Sequence, residues 1–238
     1  SNIDVLKNES EMNVLNQASF SFDLSVADIY FSLNNGHTLV GLDKSTQQDY
    51  NKIFEIIKKQ KINFAVMTPS FIKMLMLNGD FISENYPCLK CIYFCGEPLE
   101  VSTVKKLKNR FPNLNVINAY GPTEATSAVS SVTVDENMLE QENLPVGEID
   151  KSACEIYIED DEIVLKGKSV FGGYLGEIVG GYFKENGENC YRTGDLGYIE
   201  NNFLYCKGRK DNQIKYMGYR IELGDIESNL LKISGIDN

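Results

Sequence analysis

Between residues 45 and 121 the apolar positions alternate between two periods. Ser45-Thr46-Gln47-Gln48 has capping-box spacing, and Tyr50, Ile53, Phe54 and Ile57 then recur three and four apart, the stripe of an amphipathic helix that runs out near Gln60. The unbroken apolar run INFAVM, 62–67, has the length of a buried strand. Thr68-Pro69 joins an N-cap residue to proline at the first helical position and opens a helix through SFIKMLML. LKCIYFCG (89–96) and LNVINAYG (114–121) are two further strands, and the helix between them opens at Pro98 and ends near Phe111. Strand, helix, strand, helix, strand in this order predicts a mostly parallel sheet with flanking helices.

After residue 130 the pattern changes. SVTV, PVGEI, ACEIYIEDDEIVLKG, DLGYIENNFLYCKG and NQIKYMGYRIEL are short β segments broken by Asp-Asp, Asn-Asn and Met-Gly turns, which predicts antiparallel pairing. Asp225 stands where it could cap a short amphipathic helix, IESNLLKI. The expected class is therefore α/β: a mostly parallel sheet with flanking helices, then an antiparallel β-rich, barrel-like subdomain, then the start of a small C-terminal α+β domain. The expected boundaries are 1–130, 131–210 and 211–238.

Composition narrows the function. With 238 residues and 42% hydrophobic content, the chain can bury one large core or two modest ones. Its 23 basic and 34 acidic residues give a net charge of −11, which argues against a nucleic-acid surface or a polybasic membrane contact. No apolar run reaches the roughly eighteen residues that span a bilayer, and the first residues lack the basic start and apolar core of a signal peptide, so a cytoplasmic protein is expected. Six cysteines (Cys88, Cys91, Cys95, Cys154, Cys190, Cys206) are too sparse for a disulfide framework and suit a reducing compartment. Cys88 and Cys91 form a lone CxxC in a chain with one histidine, His37, and read as strand residues rather than a zinc or redox motif. FGGYLGEIVGG (171–181) matches neither a dinucleotide fingerprint nor a P-loop and reads as turns around Tyr174.

Open α/β sheets bind ligands beyond the carboxyl ends of their strands, where Cys95-Gly96-Glu97-Pro98 and Gly121-Pro122-Thr123-Glu124 fall. In NAYGPTE, Asn118 carries an amide that can read a base edge, Tyr120 can stack on a base, and the Thr123 hydroxyl can bond phosphate. Glu124 offers hard oxygen to Mg2+. Asp23 follows Phe22 in FSFDLS; a carboxylate in apolar surroundings needs a partner such as an ammonium, and a helix cap is the alternative. Cys95 is a small polarizable side chain, suited either to a pocket wall or to plain core packing. Asp195 in TGDLG can accept from vicinal ribose hydroxyls, and Arg209 in CKGRKD presents a planar fork; a solvated turn is the alternative for each.

Five stretches, FSFDLS (20–25), FCGEP (94–98), NAYGPTE (118–124), YRTGDLG (191–197) and GRKDNQIKYMGYRIE (208–222), resemble in order and spacing the core motifs of the adenylate-forming superfamily. Within it, LNQASFSFDLSVADIYFSL, TPSFIKML, NAYGPTEAT and IKYMGYRIEL look like the D-alanine:D-alanyl carrier protein ligases, over about Phe20 to Glu227. The resemblance implies a large N-terminal domain hinged to a small mobile C-terminal one. It implies ATP- and Mg2+-dependent activation of D-alanine as D-alanyl-AMP, then transfer to the phosphopantetheine thiol of a D-alanyl carrier protein for teichoic acid D-alanylation.

Carried over by residue, Asp23, Cys95, Ala119 and Ser127 would hold D-alanine, although the Ser127 hydroxyl departs from the small apolar residue expected there. Asn118, Ala119, Tyr120, Gly121, Pro122, Thr123, Asp195, Cys206, Lys207, Gly208 and Arg209 would contact the nucleotide. Thr123 and Glu124 would be catalytic, Glu124 also binding the metal; Asp211 would be the hinge and Gly218 would approach the pantetheine arm. A phosphate loop rich in Ser, Thr and Gly is not found in 1–19, and the superfamily's C-terminal lysine would lie beyond Asn238. The expectation is a central fragment of a longer enzyme, inactive in adenylate formation alone. A nonribosomal peptide synthetase-type adenylation domain and a non-catalytic nucleotide-binding or carrier-docking module are the alternatives.

Overall fold

In the computed structural model, which describes residues 11–149, 154–176, 180–211, 213–216, 219–230 and 232–233, the buried runs become neighbouring strands. The first sheet contains β1 (Asn13–Asn16), β2 (Thr38–Gly41), β3 (Phe64–Met67), β4 (Cys91–Phe94), β5 (Asn115–Tyr120) and β6 (Ser130–Thr133), in the order β2-β1-β3-β4-β5-β6. Every pairing is parallel except that of β6 with β5. All residues of β3 and β4 are buried, as strands covered on both faces require.

The period-2 alternation of a strand decides which side chain meets which layer. Ala65, Met67, Ile92, Phe94 and Val116 face a core built with Ile53, Ile57, Ile72, Val104 and Leu107, from α3 (Tyr50–Lys59), α4 (Pro69–Leu75) and α5 (Val101–Arg110). Phe64, Val66, Cys91, Tyr93, Cys95, Ile117 and Ala119 face the other way, toward α1 (Leu24–Asn35). The expected pocket residues Cys95 and Ala119 thus share one face of the sheet with α1.

Some helix starts differ from the sequence pattern. Asp43, not Ser45, caps α2 (Lys44–Gln47): its Oδ1 accepts from the Thr46 N–H at 2.7 Å and from the Ser45 hydroxyl at 2.8 Å. Asp49 caps α3, accepting from the Asn51 and Lys52 amides. A carboxylate outcompetes a hydroxyl at a helix N-terminus because it also meets the positive end of the dipole. Thr68 does cap α4, with Pro69 at its first position. The helix expected from Pro98 begins at Val101, after Glu100 in an extended conformation.

The second sheet is antiparallel throughout, with β7 (Gly147–Glu148), β8 (Glu155–Glu159), β9 (Glu162–Lys166), β10 (Tyr182–Glu185), β11 (Glu188–Glu200) and β12 (Phe203–Arg209). Its order is β7-β12-β11-β9-β8, with β10 added on β11. Asp160-Asp161 and Asn201-Asn202 all have positive φ, the geometry of tight two-residue hairpins. β13 (Gln213–Tyr216) and β14 (Tyr219–Glu222) form a separate hairpin, and α6 (Leu223–Leu230) follows; Asp225 lies inside α6 instead of capping it. Among the described residues no helix is long and apolar enough to cross a membrane. Tyr120, the last residue of β5, packs with Ile156, Ile163, Leu165, Tyr191 and Leu204 of the second sheet, so the two sheets meet where NAYGPTE begins.

Candidate functional site

The loop after β5 folds tightly back on itself. Thr123–Ala125 form one 3-10 turn, Thr126 and Ser127 take positive φ (65 and 69), and the Val129 N–H returns to the Tyr120 carbonyl at 2.8 Å. The return crosses Gly121 so closely that a Cβ there would stand 2.6 Å from Ala128 Cα and 2.8 Å from the Ser127 oxygen. Thr123 remains exposed at the tip. Glu124 is buried, and its Oε1 accepts a short hydrogen bond from the Tyr174 hydroxyl. Tyr174, expected only as a turn residue, therefore belongs to the candidate site; burial first, then the Glu124 bond and charge, push its phenol pKa upward.

A line of polar contacts joins this loop to the second sheet. The Tyr120 hydroxyl donates to Asp195 Oδ2 at 2.7 Å, and Arg209 Nη1 donates to Asp195 Oδ1 at 3.1 Å and to the Thr193 carbonyl at 2.7 Å. The same guanidinium grips Asp211 with two bonds, Nε to Oδ1 at 2.9 Å and Nη2 to Oδ2 at 2.6 Å. Asp195 and Arg209 are cross-strand partners of β11 and β12, so their contact follows from register. Burial acts to lower the Arg209 pKa, but the Asp211 bonds and the Asp195 charge outweigh it and hold it above its ordinary value. Asp211 is held low by the Arg209 bond. Burial, joined by the Asp195 charge, drives the Tyr120 phenol well up.

The carboxylate of Asp195 is presented by an irregularity in β11. Against β9 the register shifts between Arg192 and Leu196, and Gly194 takes φ +73, where a Cβ would lie 2.8 Å from Arg209 Nη2. Buried Glu162 secures the irregular segment: its Oε1 accepts from the Gly194 N–H at 2.9 Å and its Oε2 from Lys210 Nζ at 3.3 Å. In sequence Glu162 is one more acidic residue after a turn and carries no signal of this role.

On the α1 side of the sheet lies a cavity of about 220 Å³. Val26, Ala27 and Tyr30 form its helical wall, Phe64, Val66 and Tyr93 its floor, and Thr126, Ser127 and Ala128 its rim. Of the expected substrate residues only Ser127 lines it. Cys95 and Ala119 pack in the adjoining core with Ala27 and Ala128, and the Cys95 thiol donates to the Ser127 carbonyl at 3.6 Å. Asp23 sits at the start of α1, half-buried, with helical φ and ψ and no side-chain cap bond, so the capping alternative is not realised.

Other expected residues are less available than their sequence suggested. Asn118 is buried and its amide donates to the Pro145 carbonyl at 2.8 Å. The Tyr120 ring is 7% exposed and packed in the core between the sheets. Lys207 lies over the Tyr198 ring at 5.0 Å, a cation–π contact, while Cys206 is half-buried and Gly208 exposed. Gly218 falls outside the described residues.

Sequence reading also passed over a buried pair between β1 and α1. Asp28 of α1 is 0% exposed, and Asn16 Nδ2 donates to both its oxygens, at 3.1 and 3.0 Å. Burial raises the Asp28 pKa to about 6, against the opposing Asn16 and backbone bonds. Between the unfolded value near 4 and about 6 the folded chain binds the additional proton, so this group's contribution to stability falls as pH rises through that window. Urea titrations at pH 4.5 and 7 should show a smaller loss on raising pH for Asp28→Asn than for the wild type; equal losses would contradict the assignment.

Among the described residues no cluster of three His, Cys, Asp or Glu side chains could hold a metal alone. Mg2+ in nucleotide sites takes one or two carboxylates together with phosphate oxygens, so the single buried carboxylate of Glu124 fits a metal that arrives with phosphate.

The family model described as AMP-binding enzyme matches residues 2–175. The D-alanine--D-alanyl carrier protein ligase of Listeria monocytogenes serotype 4b is 44% identical over 95% of this chain and 48% of its own length. That of Bacillus licheniformis is 44% identical over 92% and 46%. The chain spans about half the length of the curated relatives it matches. Among solved structures, the Vibrio cholerae adenylation domain AlmE in complex with glycyl-adenosine-5'-phosphate superimposes with a TM-score of 0.87 at 25% identity, covering 99% of this chain and 47% of that one. PA1221, an NRPS protein containing adenylation and PCP domains, gives 0.76 at 28% identity over 92% and 41%.

Proposed function

The chain belongs to the AMP-binding enzyme family, and on that premise we propose that it forms the nucleotide- and amino-acid-binding core of an ATP-dependent ligase. The ligase activates D-alanine as D-alanyl-AMP and passes the acyl group to the phosphopantetheine thiol of a D-alanyl carrier protein, for teichoic acid D-alanylation. The observation that carries this reading is the line Tyr120, Asp195, Arg209, Asp211, which brings three separate motifs into direct contact. A carboxylate offers about four acceptor sites; Tyr120 and Arg209 engage one on each oxygen of Asp195, and vicinal ribose hydroxyls can take others. Thr123, exposed at the loop tip, would face phosphate, and Glu124 would hold Mg2+ carried by the nucleotide, which neutralises phosphate charge. Asn118, Ala119, Gly121 and Pro122 would border the base and sugar, with Cys206, Lys207 and Gly208 on the opposite strand.

The half-buried carboxylate of Asp23 would pair with the substrate ammonium. A cavity of about 220 Å³ lies below the usual range of about 300–1,000 Å³ for drug-sized ligands and suits a one-carbon side chain. Aligning the substrate carboxylate with the α-phosphorus, so that pyrophosphate departs in line, is chiefly a matter of positioning. Asp211, gripped by Arg209, would be the hinge of a mobile C-terminal domain, and Gly218 would approach the pantetheine arm. The cytoplasm, where ATP is at hand, is the proposed location, in keeping with six cysteines of which none forms a disulfide.

A second reading, a nonribosomal-type adenylation domain for glycine, draws on the glycyl-adenylate in the Vibrio neighbour and the Ser127 hydroxyl at the cavity rim. ATP–pyrophosphate exchange by the full-length protein separates them. The expected result is exchange fastest with D-alanine and at least about tenfold slower with L-alanine, glycine or no amino acid, a difference of about 1.4 kcal/mol in the transition state. Fastest exchange with glycine would transfer the assignment to the second reading.

A further inference from the structure

We infer that Asn16 and Asp28 are a positioning pair, which fixes the register of α1 on the sheet and thereby places the helical wall of the amino-acid cavity and Asp23. The inference rests on the proposed adenylation reading for the identity of the cavity's occupant. Its basis is a buried polar row on α1. Leu24, Ala27 and Phe31 form the apolar stripe that packs on the sheet. Beside it, one position on, the buried residues Ser25, Asp28 and Ser32 are all polar. Apolar contacts tolerate sliding and rotation; directional hydrogen bonds do not.

The bonds beside the stripe are specific. Asn16 is the last residue of β1, 3% exposed, and its Nδ2 bridges both oxygens of the fully buried Asp28. Ser32 and Ser25 bond only within or just ahead of the helix, to the carbonyls of Asp28 and Phe22, so they add nothing across the helix–sheet contact. Burying a carboxylate is unfavourable compared with an apolar residue of the same size, so a pair at this place is poorly explained by stability alone. Val26, Ala27 and Tyr30 on the same helix form the cavity wall, and Asp23 precedes its first turn. A shift of α1 by one residue would move these groups by about 1.5 Å along the axis. Misplacements of about 1 Å in a reacting complex cost up to about a hundredfold in rate.

The experiment measures steady-state KM for the amino acid and for ATP in the full-length protein, using whichever amino acid supports the fastest exchange. The variants are Asp28→Ala, the exchanged pair Asn16→Asp with Asp28→Asn, and the apolar pair Asn16→Leu with Asp28→Leu. Asp28→Ala is expected to raise the amino-acid KM about tenfold or more while the ATP KM stays within about twofold. The exchanged pair, which keeps one amide opposite one carboxylate, should return the amino-acid KM to within about threefold of wild type, whereas the apolar pair should fold stably and keep it raised. An unchanged amino-acid KM in Asp28→Ala, a parallel rise in both constants, or full recovery by the apolar pair would overturn the inference. Hydrogen exchange of the α1 amides gives a readout independent of catalysis. Protection lost in Asp28→Ala and regained in the exchanged pair supports the register role, and unchanged protection in Asp28→Ala refutes it. Failure of D-alanine as the best substrate would instead count against the proposed function alone.

Discussion

Replacing Gly121 with alanine should destabilise the protein by about 3 kcal/mol, the upper end of the overpacking range, and abolish AMP binding. The added methyl would meet Ala128 Cα at 2.6 Å, the Ser127 oxygen at 2.8 Å and the Ala128 nitrogen at 2.9 Å. All three are main-chain atoms that cannot swing aside as a side chain would. The segment is pinned on both sides, by the Val129–Tyr120 bond and by the Cys95 thiol on the Ser127 carbonyl, and Thr126 and Ser127 already occupy the left-handed region. Relief therefore requires opening the whole loop, which carries Thr123 and Glu124 with it. Urea denaturation and calorimetric titration with AMP measure the two effects, and a variant with wild-type stability and affinity would contradict the close approach.

The other large effect is expected from Arg209→Ala. It removes the cation from a 5% exposed Asp195 and leaves that carboxylate to the Tyr120 hydroxyl. Breaking a buried pair in this way costs about 3–5 kcal/mol, and because Arg209 keeps 18% side-chain exposure, about 3 is expected here. Arg209→Lys should recover little, since one ammonium cannot reach Thr193, Asp195 and Asp211 in the directions the guanidinium uses. The double change Arg209→Ala with Asp195→Asn should recover part of the loss, because the penalty resides in the unpaired charge. Asp211→Ala should cost only about 1 kcal/mol or less, as its carboxylate is half exposed. Comparable losses for Asp211→Ala and Arg209→Ala would contradict the role given to the buried pair.

Strands β3, β4 and β5 are legible from the chain because each is a continuous apolar run bounded by breakers, and Thr68-Pro69 marks α4 for the same local reason. β1 and β2 are not: NVLN is bounded by asparagines and TLVG is largely exposed, so neither is a continuous apolar run, and pairing within the sheet makes them strands. Ser45 offers the right spacing for a cap, yet the stronger acceptor Asp43 two residues earlier takes the position. The motifs that meet at the site are visible as polar clusters in expected turns. Their mutual contact depends on the pairing of Asp195 with Arg209 and on the burial of Tyr120 against the second sheet, which are long-range consequences of register. Asp28 and Glu162 escape sequence reading because a carboxylate carries no mark of burial; only the assembled sheet and helix reveal that each is enclosed and bonded.

The proposed recognition of ribose by Asp195 is the most direct point at which to test the proposed adenylation site. Calorimetric titration of the full-length protein with AMP and with its 2′,3′-dideoxy analogue isolates the two hydroxyls while leaving base and phosphate unchanged. The site predicts binding of AMP and at least about tenfold weaker binding of the dideoxy nucleotide, the loss expected when a buried charged acceptor is left without its donors. Equal affinity for the two nucleotides would contradict it.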